Sequence, residues 1–397
     1  KETRTAGKVL EAFASLGLTD VTRPARTGVK GWLWRGAGPR VAVIGELDAV
    51  LSPGHPFADK ATGAAHACGH NAQLASMLGC AVGLRAVADS LAGSVCLLAA
   101  PAEEYVEIGW RAGLRRAGEV QYLGGKQQLI AEGAFDDIDM AMMMHSQGNA
   151  PEKAVYIGKS SNGFVGKTVQ YIGKTAHAAN APHEGINALN AACLGIMGIN
   201  ALRETFKEDD MIRVHPIITK GGDLVNNVPS DVRMELYVRA KTMEAIDCQH
   251  RRVDEALKAG GAAVGAKTVI ETLPGMFPLA CSPRLNDLFV ENIKEYFPET
   301  KIEDAGHFTA STDMGDISHL MPSIHPFIGG VDGGLHTKDF CVTDFDAAAI
   351  LPGKVFAMNI IDLLYDEAAM AKEILEKEKS ILTKEEYLAK LESYFQS

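Results

Sequence analysis

The chain has 397 residues, of which 47% are hydrophobic and 22% charged, and its formal net charge is −11 at pH 7. The composition is that of a soluble globular protein, and the length exceeds the roughly 250–300 residues at which a single core stops growing. Acidic residues outnumber basic ones, and the basic residues form no cluster along the sequence. The sequence therefore argues against nucleic acid or an anionic membrane surface as a partner.

Alternating strand and helix patterns fill the first part of the chain. The apolar runs VAVIG (41–45), GSVCLLAAP (93–101) and DIDMAMMMH (137–145) each predict a buried strand. Between the first two strands, residues 71–91 have the periodicity of a helix. Strands and helices joined by short connections predict an α/β domain whose mostly parallel sheet is covered by helices.

The pattern changes at about residue 163. Three alternating, half-exposed strands and two helices are predicted beyond that point, in the order strand, helix, strand, strand, helix, at 164–177, 185–206, 213–222, 230–242 and 243–259. This order predicts a small antiparallel sheet with helices on one face.

We therefore predict an α/β domain formed by 1–162 and 277–397, interrupted by an inserted α+β domain of ferredoxin-like type at 163–276. The apolar stretch 185–202 contains three Asn and three Gly, and is predicted as a buried or interface helix rather than a membrane span. The seven Cys are scattered and form no Cys-x-x-Cys pair, a pattern typical of reduced thiols in a cytoplasmic protein.

Acidic, imidazole and thiol side chains cluster at the ends of the predicted strands. They are Asp48 after the first strand, Cys68 and His70 in the loop before the helix, Glu103 and Glu104 after the second strand, and His145 ending the third. Open α/β sheets bind ligands at the carboxyl ends of their strands. A solvated loop would explain any one of these residues but not all of them together, so the sequence predicts a metal site.

The residue types suit a divalent metal ion. Cys68 precedes a helix N-terminus, where the helix dipole and a bound cation both favour the thiolate. A mixed set of thiolate, imidazole and carboxylate fits Zn²⁺ or Mn²⁺, and ligand softness alone does not choose between them. Of the adjacent Glu103 and Glu104, one can bind the metal while the other accepts a proton from an activated water. His336, in a Gly-rich loop, is either a further ligand or a loop residue.

Eight short motifs occur in a specific order along the chain. They are GELDAV, AHACGHN, PAEE, MMMH, GKTAHAA, GGDLVNNVPSDV, STDMGD and GGLHTKDF. This set resembles the M20 family of metallopeptidases and amidohydrolases, in its aminoacylase-like branch. That branch includes β-alanyl-lysine-type dipeptidases and p-aminobenzoyl-glutamate hydrolase subunits.

The resemblance implies a ligand set for one or two ions, with Cys68 able to bridge two. The implied ligands are Cys68, His70, Glu104, His145 and His336. Glu103 would be the general base and later the acid, and Asp48 would orient a metal-binding imidazole. On this likeness, the metal-binding domain formed by 1–162 and 277–397 is the catalytic one.

The resemblance also implies that the inserted domain, 163–276, is a lid and dimerisation domain of a homodimer. His177 of the GKTAHAA motif would reach the partner's active site and stabilise the oxyanion. Asn226 and Arg239 match positions that hold the carboxylate of the substrate.

The function predicted from these residues is a metal-dependent amidohydrolase that cleaves a small N-acyl amino acid, dipeptide or aryl amide, with Glu103 as general base. One alternative is an aminohydrolase that releases ammonia from an aromatic amine. A second is a weakly active partner subunit of a hetero-oligomeric hydrolase, although the complete ligand set argues against it.

One segment, YVEIGWRAGLRRAGEVQYL (105–123), is longer than expected from related chains. It carries Trp110, Arg111, Arg115 and Arg116 close in sequence to Glu103. These residues either form a specificity wall that binds an aromatic or anionic substrate, or belong to an exposed amphipathic helix. The sequence alone leaves both readings open.

Overall fold

The computed structural model describes residues 2–105 and 107–395. The chain forms two compact units. The first unit comprises Lys1–Ser160, Leu279–Phe308 and Asp313–Lys384. The second unit comprises Ser161–Pro278, Thr309–Thr312 and Glu385–Ser397.

Strands and helices alternate through most of the chain. The strands are β1 Thr19–Thr22, β2 Val29–Trp34, β3 Arg40–Glu46, β4 Val50–Leu51, β5 Ala64–Ala65, β6 Ser94–Ala100, β7 Met140–Met142, β8 His145–Ser146, β9 Ala154–Ser161, β10 Gly163–Ile172, β11 Arg213–Lys220, β12 Asp231–Ala240, β13 Lys267–Pro274, β14 Lys301–Phe308, β15 Ser323–Ile324, β16 Phe327–Ile328, β17 Val331–Asp332 and β18 Cys341–Val342. The helices are α1 Thr3–Ser15, α2 His70–Leu84, α3 Ile108–Arg116, α4 Gly125–Ala131, α5 Ala188–Leu202, α6 Met243–Val264, α7 Pro283–Tyr296, α8 Met314–Ser318, α9 Leu351–Leu364, α10 Ala369–Lys377 and α11 Lys384–Phe395. Short 3₁₀ and π-helical turns lie at Ala88–Ser90, Pro182–Glu184, Arg203–Thr205, Glu208–Asp210, Asp346–Ile350 and Asp366–Ala368.

The main sheet of the first unit is mixed, in the order β1-β2-β6-β3-β7-β15. Strands β6, β3, β7 and β15 run parallel, whereas β1 and β2 pair antiparallel at one edge. The antiparallel edge has a simple cause: only residues 35–39 separate β2 from β3, too few for the crossover that parallel strands need. The parallel strands therefore share one carboxyl edge.

The core of the first unit is built from strands that are buried on both faces. Every residue of β6 is buried, and β3 is buried from Val41 onward. Helices α2 and α9 pack against each other beside this sheet. The stretch Asp346–Leu364 is apolar and long enough to cross a membrane by composition alone, but most of it is buried in this core.

A smaller sheet in the same unit has the order β14-β9-β16-β8. It positions His145, the last residue of the strand predicted at 137–145. β8 pairs in parallel with β16, so that His145 lies opposite Phe327. The run predicted as one strand at 137–145 is thus divided into β7 and β8, which belong to different sheets. As a result, His145 pairs with a strand of the smaller sheet and not with a strand of the main sheet.

The second unit contains an antiparallel sheet in the order β11-β12-β10-β13. Along β12, buried residues alternate with more exposed ones, as expected for a sheet with one covered face. Helices α5 and α6 pack on each other and on this sheet, and their apolar residues form a separate core. The element order is β10, α5, β11, β12, α6, β13.

The C-terminal helix α11 departs from the predicted boundaries, which placed all of 277–397 in the α/β domain. Residues 385–397 group with the second unit. Tyr394 donates a hydrogen bond of 2.7 Å from its hydroxyl to Asp247 of α6, and Lys390 pairs with the same carboxylate at 2.5 Å. These partners lie more than 140 residues away in the chain, so the local sequence pattern does not reveal them.

Candidate metal centre

The ends of the parallel strands bring the predicted ligands of the first unit together. β3 ends at Glu46 and is followed by Asp48, and β6 ends at Ala100 and is followed by Glu103 and Glu104. The Cys68 loop joins this edge because α2 begins at His70 and packs on β3. The loop carrying His336 is fixed beside it by a backbone hydrogen bond of 2.7 Å from the His336 N–H to the carbonyl oxygen of Ala67.

Two groups of possible ligands share the thiol of Cys68. One group is Cys68, His70 and His145, and the other is Cys68, Glu104 and His336. The Cys68 Sγ lies 3.4 Å from Nε2 of His145 and 3.2 Å from Nε2 of His336. The Glu104 Oε1 lies 3.2 Å from the same His336 nitrogen. A thiolate placed between two ligand sets has the position needed to bridge two neighbouring ions.

The two buried imidazoles are oriented by backbone oxygens. Nδ1 of His70 lies 3.1 Å from the carbonyl oxygen of Asp48, and Nδ1 of His145 lies 2.8 Å from that of Ser146. Hydrogen bonds at Nδ1 leave Nε2 as the coordinating nitrogen, which is the usual arrangement of metal-binding histidines. Both histidines belong to the group that contains Cys68, and Nε2 of His145 faces its thiol at 3.4 Å.

Asp48 lies behind His70 rather than among the ligands. Its Oδ1 is 3.2 Å from Nδ1 of His70, and its Oδ2 accepts a hydrogen bond of 3.0 Å from the backbone N–H of Glu104. Burial would raise the pKa of Asp48, but the hydrogen bonds and charge of His70 outweigh it and lower the pKa below its usual value. Asp48 therefore links the orientation of the His70 ring to the position of the Glu104 backbone.

The thiol of Cys68 is buried, and burial raises its pKa. The thiolate predicted from the sequence depends on a bound cation as well as on the helix dipole, and it stays a prediction. Gly69, between Cys68 and His70, has a φ of 87°, a conformation that favours glycine and turns the loop into α2. A cation bound at the thiol is what would overcome this burial and hold it as thiolate.

Glu103 and Glu104 are adjacent in sequence but lie in different surroundings. Glu104 approaches His336, as described above, whereas Oε2 of Glu103 lies 4.0 Å from Nε2 of His70. Burial, followed by the charges of Glu46 and Glu104, raises the pKa of Glu103 above its usual value. A buried carboxylate with a raised pKa beside a ligand cluster suits proton transfer.

A buried charge triad on the Nε2 side of His70 has no counterpart among the residues predicted from the sequence. Lys126 pairs with Glu46 at 2.6 Å and with Asp313, and all three side chains are fully buried. The remaining oxygen of Glu46 accepts a hydrogen bond of 2.9 Å from Gln73 and lies 3.1 Å from Nε2 of His70. Glu46 could be counted as a metal ligand by distance, but both of its oxygens already have partners. We interpret it as a fixed anion that supports His70.

The other three predicted site residues lie in the second unit. His177 is exposed, and its Nδ1 accepts hydrogen bonds from the backbone N–H groups of Ala179 and Asn180 at 3.3 and 3.1 Å. The proton of a neutral His177 ring is therefore on Nε2, where it can be donated. The carbonyl oxygen of Asn226 accepts a hydrogen bond of 2.9 Å from the N–H of Ala178, so these two loops are adjacent.

Arg239 lies on β12, away from the His177 loop in the sheet register. Its Nη1 donates a hydrogen bond of 2.6 Å to the hydroxyl of Ser311. Its guanidinium carbon lies 4.9 Å from the ring centroid of Phe164 and 5.4 Å from that of Tyr237. These contacts hold the guanidinium group in one orientation, which favours the recognition of a carboxylate.

Comparisons with known proteins identify the family of the chain. The chain matches peptidase family M20/M25/M40 over residues 42–360. It is 32% identical over 349 residues to the Xaa-Arg dipeptidase of Mus musculus, covering 84% of this chain and 73% of that protein. It is 29% identical over 268 residues to a p-aminobenzoyl-glutamate hydrolase subunit of Escherichia coli (strain K12), covering 64% of this chain and 49% of that one.

A solved structure shows the same fold. The crystal structure of a dinuclear metal-binding peptidase of the M20 family from Bacillus subtilis superposes with a TM-score of 0.68, at 20% identity, and covers 93% of each chain. The match of the family over most of the sequence, together with the shared fold, settles the family. The chain belongs to peptidase family M20/M25/M40 and is a hydrolase that acts on amide bonds.

Proposed function

We propose that the chain is a metal-dependent amidohydrolase that cleaves the amide bond of a small N-acyl amino acid, dipeptide or aryl amide. The observation that carries this proposal is the pair of ligand groups that share Cys68, with Glu103 buried beside them. The names of related proteins support it, because they include a dipeptidase and a p-aminobenzoyl-glutamate hydrolase subunit.

A divalent ion bound by these ligands would supply Lewis acidity for the scissile carbonyl and lower the pKa of a water molecule. Glu103 takes the proton of the attacking water and returns it to the nitrogen of the leaving amine. Asp48 holds His70 in the orientation that directs Nε2 toward the site. By family likeness, His177 donates a hydrogen bond from its Nε2–H to the oxyanion in the active site of the partner subunit, and Asn226 and Arg239 hold the carboxylate of the substrate.

The metal is proposed to be manganese or zinc, with two ions per chain. Thiolate, imidazole and carboxylate ligands suit both metals. The two-ion proposal rests on the two ligand groups that meet at Cys68. It is further supported by the dinuclear metal-binding peptidase whose fold the chain shares.

Replacing His336 by Ala should remove one ion and leave the other. His336 belongs only to the group with Glu104, while His70 and His145 remain to hold an ion at Cys68. The bound metal, measured by inductively coupled plasma mass spectrometry after desalting, should fall from two ions per chain to one. His215→Ala, an exposed histidine of the second unit, is the control and should retain two. Loss of both ions, or retention of both, in the His336 variant would contradict this assignment.

A homodimer formed through the second unit is proposed as the working assembly. β11 is an edge strand of its sheet, and its Ile217 and Ile218 are exposed. Leu194 and Met197 of α5 are also exposed on this unit. An exposed, apolar edge strand can pair with a second copy across a two-fold axis. Sedimentation equilibrium should give the mass of two chains, and a monomeric mass would refute the proposal.

The reaction itself is tested with a substrate panel. Protein loaded with manganese or zinc is incubated with dipeptides, N-acyl amino acids and aryl amides, and products are identified by mass. Release of a free amino acid or aryl amine together with its acid supports amide hydrolysis. Release of ammonia alone would favour an aminohydrolase. No turnover of any compound with metal fully bound would favour a partner subunit of a hetero-oligomer.

A further inference from the structure

His336 is the most exposed of the five proposed ligands. Its side chain is 52% exposed, whereas that of Glu104, which it approaches at 3.2 Å, is 7% exposed. Cys68, His70 and His145 are also buried. Side-chain packing therefore holds four of the ligands in place, but the position of His336 depends on the backbone of its loop.

The backbone of this loop is held in an unfavourable conformation. The loop, residues 333–340, joins β17 to β18, which pair with each other. His336 has a φ of 63°, in the left-handed region that residues other than glycine rarely adopt. Such a conformation persists only where the surrounding structure enforces it. Contacts with other parts of the chain must therefore hold the loop.

Two hydrogen bonds fasten the loop to the β4–β5 hairpin. The His336 N–H bonds to the carbonyl oxygen of Ala67, two residues after β5. Four residues beyond His336, the carbonyl oxygen of Phe340 lies 2.8 Å from Nε2 of His55, a buried residue in the loop between β4 and β5. Nδ1 of His55 accepts a hydrogen bond of 3.1 Å from the N–H of Phe57. The proton of the neutral His55 ring is therefore on Nε2, and His55 donates it to the Phe340 carbonyl.

Phe340 connects this hydrogen bond to the ligands. Its side chain is buried in a small apolar core that includes Ala67. Its ring lies 3.6 Å from the position that a Cβ would take on Gly69, the residue that follows Cys68. Phe340 thus packs against the segment that carries the thiol. A shift of Phe340 would change the separation between Cys68 Sγ and His336 Nε2, which is 3.2 Å.

We propose that His55 is a positioning residue for one of the two metal ions. Its hydrogen bond to the Phe340 carbonyl holds His336 beside the other two ligands of its group. The inference rests on the two-ion centre of the proposed function. Without the His55 donor, the Phe340 carbonyl loses the side chain that pairs with it, and the loop can relax from its left-handed conformation. The ion of the other ligand group does not depend on this loop, because His336 is not among its ligands.

The test compares two substitutions of His55 that differ in reach. Gln carries its side-chain N–H the same number of bonds from the backbone as Nε2, so it can still donate to the Phe340 carbonyl. Asn ends at the place of Nδ1 and falls short. Metal-free protein is dialysed against a series of buffered free zinc concentrations, and inductively coupled plasma mass spectrometry counts the zinc bound per chain. His55→Asn should bind the ion of the His336 group about 10–100-fold more weakly, the range typical for residues that support metal ligands, and His55→Gln should bind it as the wild type does.

A second background separates this role from a general loosening of the site. His336→Ala lacks the ligand through which His55 acts. Adding His55→Asn to it should therefore leave the affinity for the remaining ion unchanged. A general loosening would weaken that ion as well.

The outcomes separate this inference from the proposed function. Unchanged zinc binding in His55→Asn, or an equal weakening of both ions, would overturn the inference. So would a His55→Gln variant that binds zinc as weakly as His55→Asn, a His55→Asn variant that does not fold, or a wild type that binds only one ion. Wild-type protein that binds two ions but cleaves no compound of the substrate panel would instead overturn the proposed hydrolysis and leave the role of His55 in metal binding.

Discussion

Replacing Glu103 by Gln is expected to lower kcat by about 10²–10⁴-fold, the usual contribution of general acid–base catalysis, while the metal content stays the same. Gln has the size and shape of Glu but cannot accept the proton of the attacking water. Glu103 is buried and lies 4.0 Å from Nε2 of His70, outside the two groups that share Cys68. By distance it could be grouped with Glu46 and His70, but both oxygens of Glu46 already have partners. Steady-state kinetics on the best compound of the substrate panel and metal analysis of the same sample measure both effects.

Glu104→Gln is the matched control for this prediction. Glu104 belongs to the ligand group of His336, so its replacement should lower the number of bound ions. Glu103→Gln should thus lower kcat at constant metal content, whereas Glu104→Gln should lower the metal content. The substitution is the same and the positions are adjacent. If Glu103→Gln lost metal and Glu104→Gln kept it, the two roles would have to be exchanged. If neither variant lost activity, Glu103 would not be the general base.

Several of these residues could be located from the sequence because of strand topology. Asp48, Glu103 and Glu104 follow strands that read as continuous apolar runs, and parallel strands deliver their carboxyl ends to one edge. The same reasoning could not separate Glu103 from Glu104. Ala102 before them has a φ of 60°, so the irregular loop, and not a strand pleat, decides where each carboxylate lies.

Other parts of the site carried no local signal. His336 lies in a Gly-rich loop without periodicity, and only the family resemblance raised it above a loop residue. Lys126 lies 80 residues from Glu46 and 187 residues from Asp313, so nothing near it in sequence indicates a buried ion triad. The grouping of helix α11 with the second unit carried no local signal for the same reason, since its polar contacts to Asp247 span more than 140 residues.

Replacing Lys126 by Met is expected to destabilise the first unit by about 3–5 kcal/mol, the cost of leaving buried charges without their partner. Lys126, Glu46 and Asp313 are completely buried, and two carboxylates share the one ammonium group. Burial lowers the pKa of Lys126, but the charges of Asp313 and Glu46 outweigh it and raise the pKa above its usual value. Met fills a similar volume, so the loss measures charge rather than packing. Urea unfolding followed by circular dichroism measures the change in the free energy of unfolding.

An exposed ion pair provides the control for the buried one. Lys377 pairs with Glu373 one helical turn away, and both side chains are mostly exposed. Lys377→Met should change the stability little, because solvent screens such pairs. An equally small effect of Lys126→Met would show that the triad is not a stabilising element.

The double variant Lys126→Met, Asp313→Asn separates charge from shape in the triad. Removing one carboxylate leaves only Glu46 unpaired, so part of the lost stability should return. Full recovery is not expected, because Glu46 still lies 3.1 Å from Nε2 of His70 without its cation. If the double variant were less stable than Lys126→Met, the Asp313 carboxylate would still be stabilising in the absence of Lys126. A group other than Lys126 would then have to pair with it. The stability that the double variant still lacks relative to the wild type therefore reports the cost of leaving Glu46 without the Lys126 ammonium group.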